Sequence, residues 1–267
     1  MKFFHTLFLV LLAFAYPLFA QVPDTVFLEE LTWTEVRDAI QAGETTVIIA
    51  TGGTEQNGPH MVLGKHNFIL KHTAEQIARR LGDALVAPVV TYVPEGELDP
   101  PTGHMRFSGT ITLPNEYFMK LVEYAARSFR VHGFKDIVLI GDSGGNQEGL
   151  KTVSEMLNKE WANSDVRVHF VSDYYGDSNG FRDWLKSQGE TEEDIGRHGG
   201  IPGTSQLMAL DSNLIRLDKR AKSTEALPSG VTGDPTRASI RYGMKGFELK
   251  IEAAVAQTKA LMTSNRE

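Results

Sequence analysis

Short continuous apolar runs alternate along this chain with longer segments whose apolar residues recur every three or four positions. The first pattern is typical of strands buried on both faces, and the second of helices that cover them. Strands are predicted at residues 46–50, 84–90, 136–140 and 166–171, and helices at residues 67–81, 114–132, 147–161 and from 235 onward. We therefore predict an α/β fold, a three-layer α/β/α sandwich whose sheet is mostly parallel.

Residues 21–267 have the length and composition of one globular domain, and they contain no internal repeat or linker. The chain has no cysteine, which excludes disulfides and thiolate chemistry. A net charge of -7 and the absence of a lysine or arginine stripe argue against a nucleic-acid partner. The expected partner is a small molecule.

The N-terminus has the layout of a secretory signal peptide. Lys2 and His5 precede an apolar run at residues 7–15, and Ala20 offers a small residue before the cut. The run is too short to span a membrane. We therefore predict a signal peptide at residues 1–20, a periplasmic or secreted mature chain, and no membrane association after cleavage.

Two glycine-rich turns follow predicted strands, at the edge where parallel sheets bind ligands. The first, at residues 53–67, holds Glu55, His60 and His66 within twelve residues. Carboxylates and imidazoles hold catalytic Zn²⁺ or Mn²⁺ while leaving a coordination position for water. On spacing alone, loop residues that satisfy local backbone groups would explain the turn equally well.

The second turn, at residues 141–146, reads GDSGGN. It fits the G-x-S-x-G nucleophile elbow around Ser143, and Asp173 and His198 complete the chain order of an α/β-hydrolase triad. Trypsin-like proteases share the GDSGG string, but the strand-turn-helix surroundings and the lack of cysteine exclude that class. The alternative is a tight turn for close helix–sheet packing, with Asp142 as a helix cap.

Two further histidines lie in polar loops. His198 stands beside two glycines in the loop that runs to Thr204, and His104 lies near Arg106 ahead of a short strand. Taken alone, a histidine beside two glycines favours a structural role for His198 over a catalytic one. A solvent-exposed role is the simplest interpretation of His104.

In content and order these segments resemble the creatininase family. The family pattern E-x-H-G-P-H-L-P-L-G-T-D corresponds to residues 55–66, H-x-x-F-P-G-T to residues 104–110, and N-G-H-G-G-N to residues 141–146. Its H-A-G-E-x-E-T-S loop corresponds to residues 198–205 and its late S-G-V-x-G-D-P segment to residues 229–235.

The resemblance covers residues 28–262 and implies a creatininase-like fold. It also implies a two-metal site that activates water to open the C–N bond of an amide, cyclic amides and formamides included. Family members are often symmetric assemblies, commonly hexamers, so a homo-oligomer is expected here.

The ligands that the resemblance implies are only partly present. Glu55 keeps a ligand position, whereas Asn57, His66 and Ser143 stand where the family has His, a bridging Asp and His. A neutral imidazole has one free lone pair, so His66 cannot bridge two cations as a carboxylate does. Two acidic residues of the last loop are replaced by Ile201 and Gly203.

We predict instead a site for one Zn²⁺ or Mn²⁺. Its ligands are Glu55 and His66, with Asp142 or His198 as the third. His198 stands where the resemblance places a catalytic histidine and is a candidate general base. Asn57 is a candidate hydrogen-bond donor to an oxyanion. The predicted function is a metal-dependent amidohydrolase that cleaves a C–N bond of a small amide.

Two other functions stay open. A non-catalytic, ligand-binding relative with a degenerate metal site and no bound metal would explain the replaced ligands. A serine hydrolase would use Ser143 as its nucleophile.

Overall fold

The computed structural model describes residues 23–222 and 229–264. The predicted signal peptide, residues 1–20, lies outside these ranges. Within them, no helix combines the length and the apolar character that crossing a bilayer requires.

The described strands are β1 (Thr46–Thr51), β2 (Ala84–Val86), β3 (Asp136–Gly141) and β4 (Arg167–Phe170). They form one parallel sheet in the spatial order β2-β1-β3-β4, so β1 and β3 lie at its centre. The strand predicted at residues 84–90 ends earlier, at Val86. Pro88 follows two residues later and has no N–H with which to continue a ladder.

The described helices are α1 (Trp33–Ala42), α2 (Lys65–Leu81), α3 (Asn115–His132), α4 (Gln147–Glu160), α5 (Phe181–Ser187), α6 (Glu192–Ile195), α7 (Ile201–Leu210) and α8 (Ile240–Ser264). Helices α2 and α8 cover one face of the sheet, and α1, α3 and α4 cover the other. The predicted three-layer α/β/α arrangement is thereby confirmed.

Alternate residues of the central strands build two separate cores. Ile48 and Ile140 pack toward α2 and α8, whereas Val47 and Leu139 pack toward α3 and α4. All four side chains are completely buried. Burying such a side chain contributes roughly 1.5–3 kcal/mol, so the sheet holds its two carboxyl-end turns on a rigid base.

Helix α1 was not predicted from periodicity, although a capping box between Thr32 and Glu35 marks its start. The polar loop predicted to reach Thr204 ends earlier, because α7 begins at Ile201. Pro202 stands in the first turn of α7, where its fixed φ favours a helix start.

The terminal helix starts at Ile240 rather than at Pro235. A separate turn at Pro235–Arg237, capped by the Asp234 side chain, precedes it, and the chain is extended at Ala238.

Candidate active site

The two glycine-rich turns meet at the carboxyl edge of the sheet because β1 and β3 are neighbours. The Asn146 side-chain amide joins them by donating to the carbonyl oxygens of Thr51 and Gly52, both at 2.9 Å. Gly145 has no room for a side chain, because a Cβ there would lie 2.5 Å from the Pro94 carbonyl oxygen. This close approach brings the Pro94-Glu95 segment against the turn.

A cavity of about 660 Å³ opens at this edge, a size that suits a small organic ligand. It is lined in part by the ionisable or nucleophilic side chains of Glu55, Lys65, His66, Glu95, His104, Asp142, Ser143, His198 and Lys250.

A buried chain of charged hydrogen bonds crosses the cavity wall. The His66 ring contacts Glu55 Oε1 through Nε2 and Asp142 Oδ2 through Nδ1, both at 2.7 Å. The other Asp142 oxygen accepts a 2.5 Å hydrogen bond from Lys250 Nζ, which reaches in from α8. All four residues are less than a tenth exposed.

Both ring nitrogens of His66 are engaged by carboxylates in this arrangement. Burial raises the pKa of Glu55, but the hydrogen bond and charge of His66, together with Lys65, outweigh burial and hold that pKa well below its usual range. Burial likewise opposes ionisation of Asp142, yet Lys250 and His66 keep its pKa low. Carboxylate oxygens accept hydrogen bonds, so each His66 nitrogen donates to the oxygen that it faces and neither keeps a free lone pair for a metal.

Glu95 lies in the cavity wall with Glu55. Burial, reinforced by the neighbouring Glu55 carboxylate, raises the pKa of Glu95 to about 10, which favours its protonated form. Its Oε1 has no hydrogen-bond partner among the described residues.

His198 offers one free ring nitrogen toward Glu55. Its Nε2 lies 2.7 Å from the Gln56 backbone carbonyl oxygen and must donate to it. Nδ1 lies 3.8 Å from Glu55 Oε1. Burial, with the positive charge of Lys65, lowers the pKa of His198 to about 4, so the ring is neutral and Nδ1 keeps its lone pair.

His104 stacks on His198 with ring centroids 4.3 Å apart, and its Nε2 lies 3.2 Å from Glu55 Oε2. The Gln56 side chain sets the tautomer. Its Oε1 accepts from the Gly58 N–H, so its amide nitrogen faces His104 Nδ1 at 3.0 Å and donates to it. The His104 proton consequently sits on Nε2 and points at Glu55.

Glu55, His104 and His198 form the one group among the described residues whose donor atoms converge as a metal site requires, all within 4.8 Å of one another. A carboxylate with two imidazoles suits one Zn²⁺ ion and leaves a position for water. Glu55 and His198 Nδ1 are ready to bind. His104 fits once its proton moves to Nδ1, which requires the Gln56 amide to turn round and accept from the ring.

The three side chains that the sequence assigns to a metal, Glu55, His66 and Asp142, are indeed brought together. In this structure they bond to one another, and Asp142 is also paired with Lys250. A second ion at Asp142 would have to displace two internal cations.

Two other predicted site residues are less engaged with the cavity. Asn57 is fully buried, and its amide nitrogen donates to the Glu55 backbone carbonyl at 2.9 Å. Ser143 lines the cavity, but in the described part of the chain no hydrogen bond links it to an imidazole. His198 is bonded to the Gln56 carbonyl, and among the described residues no hydrogen bond joins it to Ser143 or to Asp173, so no serine triad is assembled.

His60, the third polar residue of the first turn, points elsewhere. Its Nε2 donates to Thr204 Oγ1 at 2.9 Å, because that hydroxyl itself donates to the Gly199 carbonyl. Burial lowers the pKa of His60 to about 4. It therefore supports the loop that carries His198 as a neutral ring.

Sequence reasoning missed Lys65, Glu95 and Lys250 as site residues. One signal existed for Lys250, which stands among apolar positions of α8 that pack on the sheet, including Phe247 and Ile251. A lysine on the buried face of an amphipathic helix needs a buried partner. Neither Lys65 nor Glu95 carried a comparable signal.

The sequence model of the family described as "Creatininase: Creatinine amidohydrolase" matches residues 29–258 of the chain. This range contains every residue of the cavity described above.

Individual relatives agree with that match. The creatinine amidohydrolase of Pseudomonas putida is 26% identical over 204 residues, covering 73% of this chain and 75% of its own. The mycofactocin precursor peptide peptidase of Mycobacterium tuberculosis is 27% identical over 244 residues, covering 81% and 86%. A solved structure titled "Creatininase Mn" superimposes with a TM-score of 0.76 at 24% identity, covering 89% of this chain and 99% of that one.

Proposed function

The chain belongs to the creatininase family, and from that premise we propose that it is a metal-dependent amidohydrolase that cleaves a C–N bond of a small amide. The observation that carries the proposal is the convergence of Glu55, His104 and His198 on one point of the cavity wall. The P. putida relative is named for an amide substrate and the M. tuberculosis relative for a peptide, so both names describe C–N hydrolysis.

We propose that the three converging side chains hold one divalent ion, Zn²⁺ or Mn²⁺. Such an ion, when bound, supplies Lewis acidity and lowers the pKa of water at neutral pH. The donor set of one carboxylate and two imidazoles favours Zn²⁺ over the hard oxygen-binding cations. The replaced family ligands and the internal cations at Asp142 support one ion rather than two.

The remaining residues prepare the cavity for this chemistry. The raised pKa of Glu95 keeps a second negative charge away from Glu55, and the Gln56 carbonyl fixes the His198 ring through its Nε2–H. His66 and Lys250 neutralise Asp142 and keep it in place. General-base action of His198 and hydrogen bonding by Asn57 to an oxyanion stay predictions from the sequence.

Removing the metal is expected to abolish amide hydrolysis, and adding Zn²⁺ or Mn²⁺ is expected to restore it. The assay is release of amine from a panel of cyclic amides, formamides and short peptides, with protein treated with a chelator and then dialysed. Ser143→Ala is the matched variant, because it alters the same cavity without touching the converging ligands. Hydrolysis that survives chelation and is lost in Ser143→Ala would instead establish the serine hydrolase.

One observation favours a second candidate, a ligand-binding protein without turnover. Asp142 is already neutralised by two internal cations, and Glu55 by His66. An internally neutralised cavity can bind a ligand without a metal. Binding of panel compounds without hydrolysis in the presence of either metal would support this candidate.

Export to the periplasm or medium and homo-oligomerisation, a hexamer included, stay proposals that rest on the N-terminal sequence and on the family.

A further inference from the structure

Lys65 is a buried lysine whose Nζ has no hydrogen-bond acceptor among the described residues. Its side chain is 6% exposed, and the nearest carboxylate oxygen, Glu55 Oε1, lies 3.9 Å from its Nζ, beyond hydrogen-bond distance. No acceptor for its three N–H groups is found among the described residues, and the side chain lines the cavity. A buried polar group without hydrogen bonds is costly, so an acceptor that enters the cavity beside Lys65 would stabilise it.

The space beside Lys65 explains why the chain supplies no acceptor of its own. Gly203, in the first turn of α7, faces it: a Cβ at this position would lie 3.3 Å from Lys65 Cδ and 3.6 Å from Nζ. A side chain there would reach the ammonium directly. Because residue 203 is glycine, the space beside Lys65 stays open to the cavity.

The two carboxylates nearest to Lys65 are already engaged by other side chains. Glu55 and Asp142 are both in hydrogen-bond contact with His66, and Asp142 also accepts from Lys250. Lys65 lies in the same cavity wall, 3.9 Å from Glu55 Oε1, and makes a hydrogen bond to neither carboxylate. A metal ion on Glu55 would make that carboxylate still less available to Lys65.

A second basic side chain without a partner lines the cavity. Arg182 is paired with Asp177 and Glu192, whereas the exposed Arg197 side chain has no partner among the described residues. Arg197 lines the same cavity as Lys65. Both side chains thus favour a negatively charged ligand.

We propose that the substrate is an anionic amide, one that carries a carboxylate close to its C–N bond, and that Lys65 binds this carboxylate. Resting on the proposed function, the inference narrows the substrate to N-acyl amino acids and short peptides with a free C-terminus. Neutral cyclic amides are excluded as preferred substrates. Binding forms an ammonium–carboxylate pair with up to three donors, and no covalent step is involved.

The test is calorimetric titration with a matched pair of probes, N-acetylglycine and its neutral analogue N-acetylglycinamide. The titration uses the full chain, both as purified and after metal removal. Binding of the carboxylate to a metal would disappear in the metal-free sample. We expect N-acetylglycine to bind both forms, and at least about tenfold more tightly than the amide, as a charged hydrogen bond implies. Lys65→Met should remove this preference, while Lys71→Met, an exposed lysine of α2, should keep it.

A second variant tests the same contact with Lys65 left in place. Gly203→Asp would give the ammonium an internal carboxylate, in a first helical turn that favours acidic residues. Gly203→Asp should lower the affinity for N-acetylglycine at least about tenfold. Lys65→Arg should keep part of that affinity, because it keeps a cationic donor. Circular dichroism and metal content on the same samples report whether the fold and the proposed metal site are intact.

The proposal is overturned if N-acetylglycine binds no better than N-acetylglycinamide, or fails to bind. It is also overturned if Lys65→Met and Gly203→Asp leave carboxylate affinity unchanged in folded protein. If metal-dependent hydrolysis fails but N-acetylglycine still binds, the proposed function is wrong. Lys65 would then bind a carboxylate in a protein that does not hydrolyse amides.

Discussion

Replacing Glu55 by glutamine is expected to weaken metal binding at least about a hundredfold and to reduce amide hydrolysis to the level of the metal-free protein. Even residues that only orient metal ligands change affinity by roughly 10–100-fold, and Glu55 is proposed to be a ligand itself. Both its oxygens face imidazoles, Oε1 toward His66 and Oε2 toward His104. Glutamine keeps the shape of the side chain but removes its negative charge and places an NH₂ group beside one of the two imidazoles.

Loss of activity through unfolding has to be separated from loss of the ligand. Glu123→Gln is the matched control, since Glu123 is also buried and paired with Lys120 and Arg127 on α3, away from the cavity. We expect this control to keep its metal and its activity. Full metal content in Glu55→Gln, measured by plasma mass spectrometry, would contradict the assigned ligand.

Replacing Lys250 by methionine is expected to destabilise the protein by about 3 kcal/mol or more. Removing one partner of a buried ion pair costs roughly 3–5 kcal/mol, because the other charge stays buried. Asp142 is 3% exposed, and its oxygen would lose the 2.5 Å hydrogen bond from Lys250. For a chain of this size each kcal/mol lowers Tm by about 2–4 °C, so thermal and urea unfolding should both show the loss.

The double variant Asp142→Asn/Lys250→Met should recover at least about 1 kcal/mol, since neighbours in one network couple by roughly 0.5–3 kcal/mol. Lys245→Met is the control on the same helix. Lys245 makes a partly exposed pair with Glu248, and its loss should cost less than about 1 kcal/mol. Equal destabilisation by Lys245→Met and Lys250→Met would refute the buried network.

The sheet could be predicted from the sequence because its central strands are buried on both faces. Residues 46–51 and 136–141 are apolar almost throughout, and that pattern has few other interpretations. The same logic placed Glu55 and Asp142 in turns that follow two strands, at the carboxyl edge of the sheet. That these strands are neighbours, so that the two turns meet, is shown by the structure.

The bonding within the site could not be read in the same way. Whether His66 binds a metal or two carboxylates depends on where its two nitrogens point, which tertiary packing decides. The cation that neutralises Asp142 comes from Lys250, 108 residues further along the chain. The tautomer of His104 depends on the orientation of one amide, that of Gln56. Periodicity and spacing carry no information on any of these contacts.

The central claim is that this creatininase-family chain has a site for one ion, because Asp142 is paired with His66 and Lys250 and is closed to a second ion. Metal stoichiometry tests it most directly, measured by plasma mass spectrometry on protein purified without a histidine tag and incubated with Zn²⁺ or Mn²⁺. We predict about one ion per chain, lost in Glu55→Gln. Two ions per chain would contradict the neutralisation of Asp142 by His66 and Lys250, and a protein that binds none would contradict the metal-dependent function.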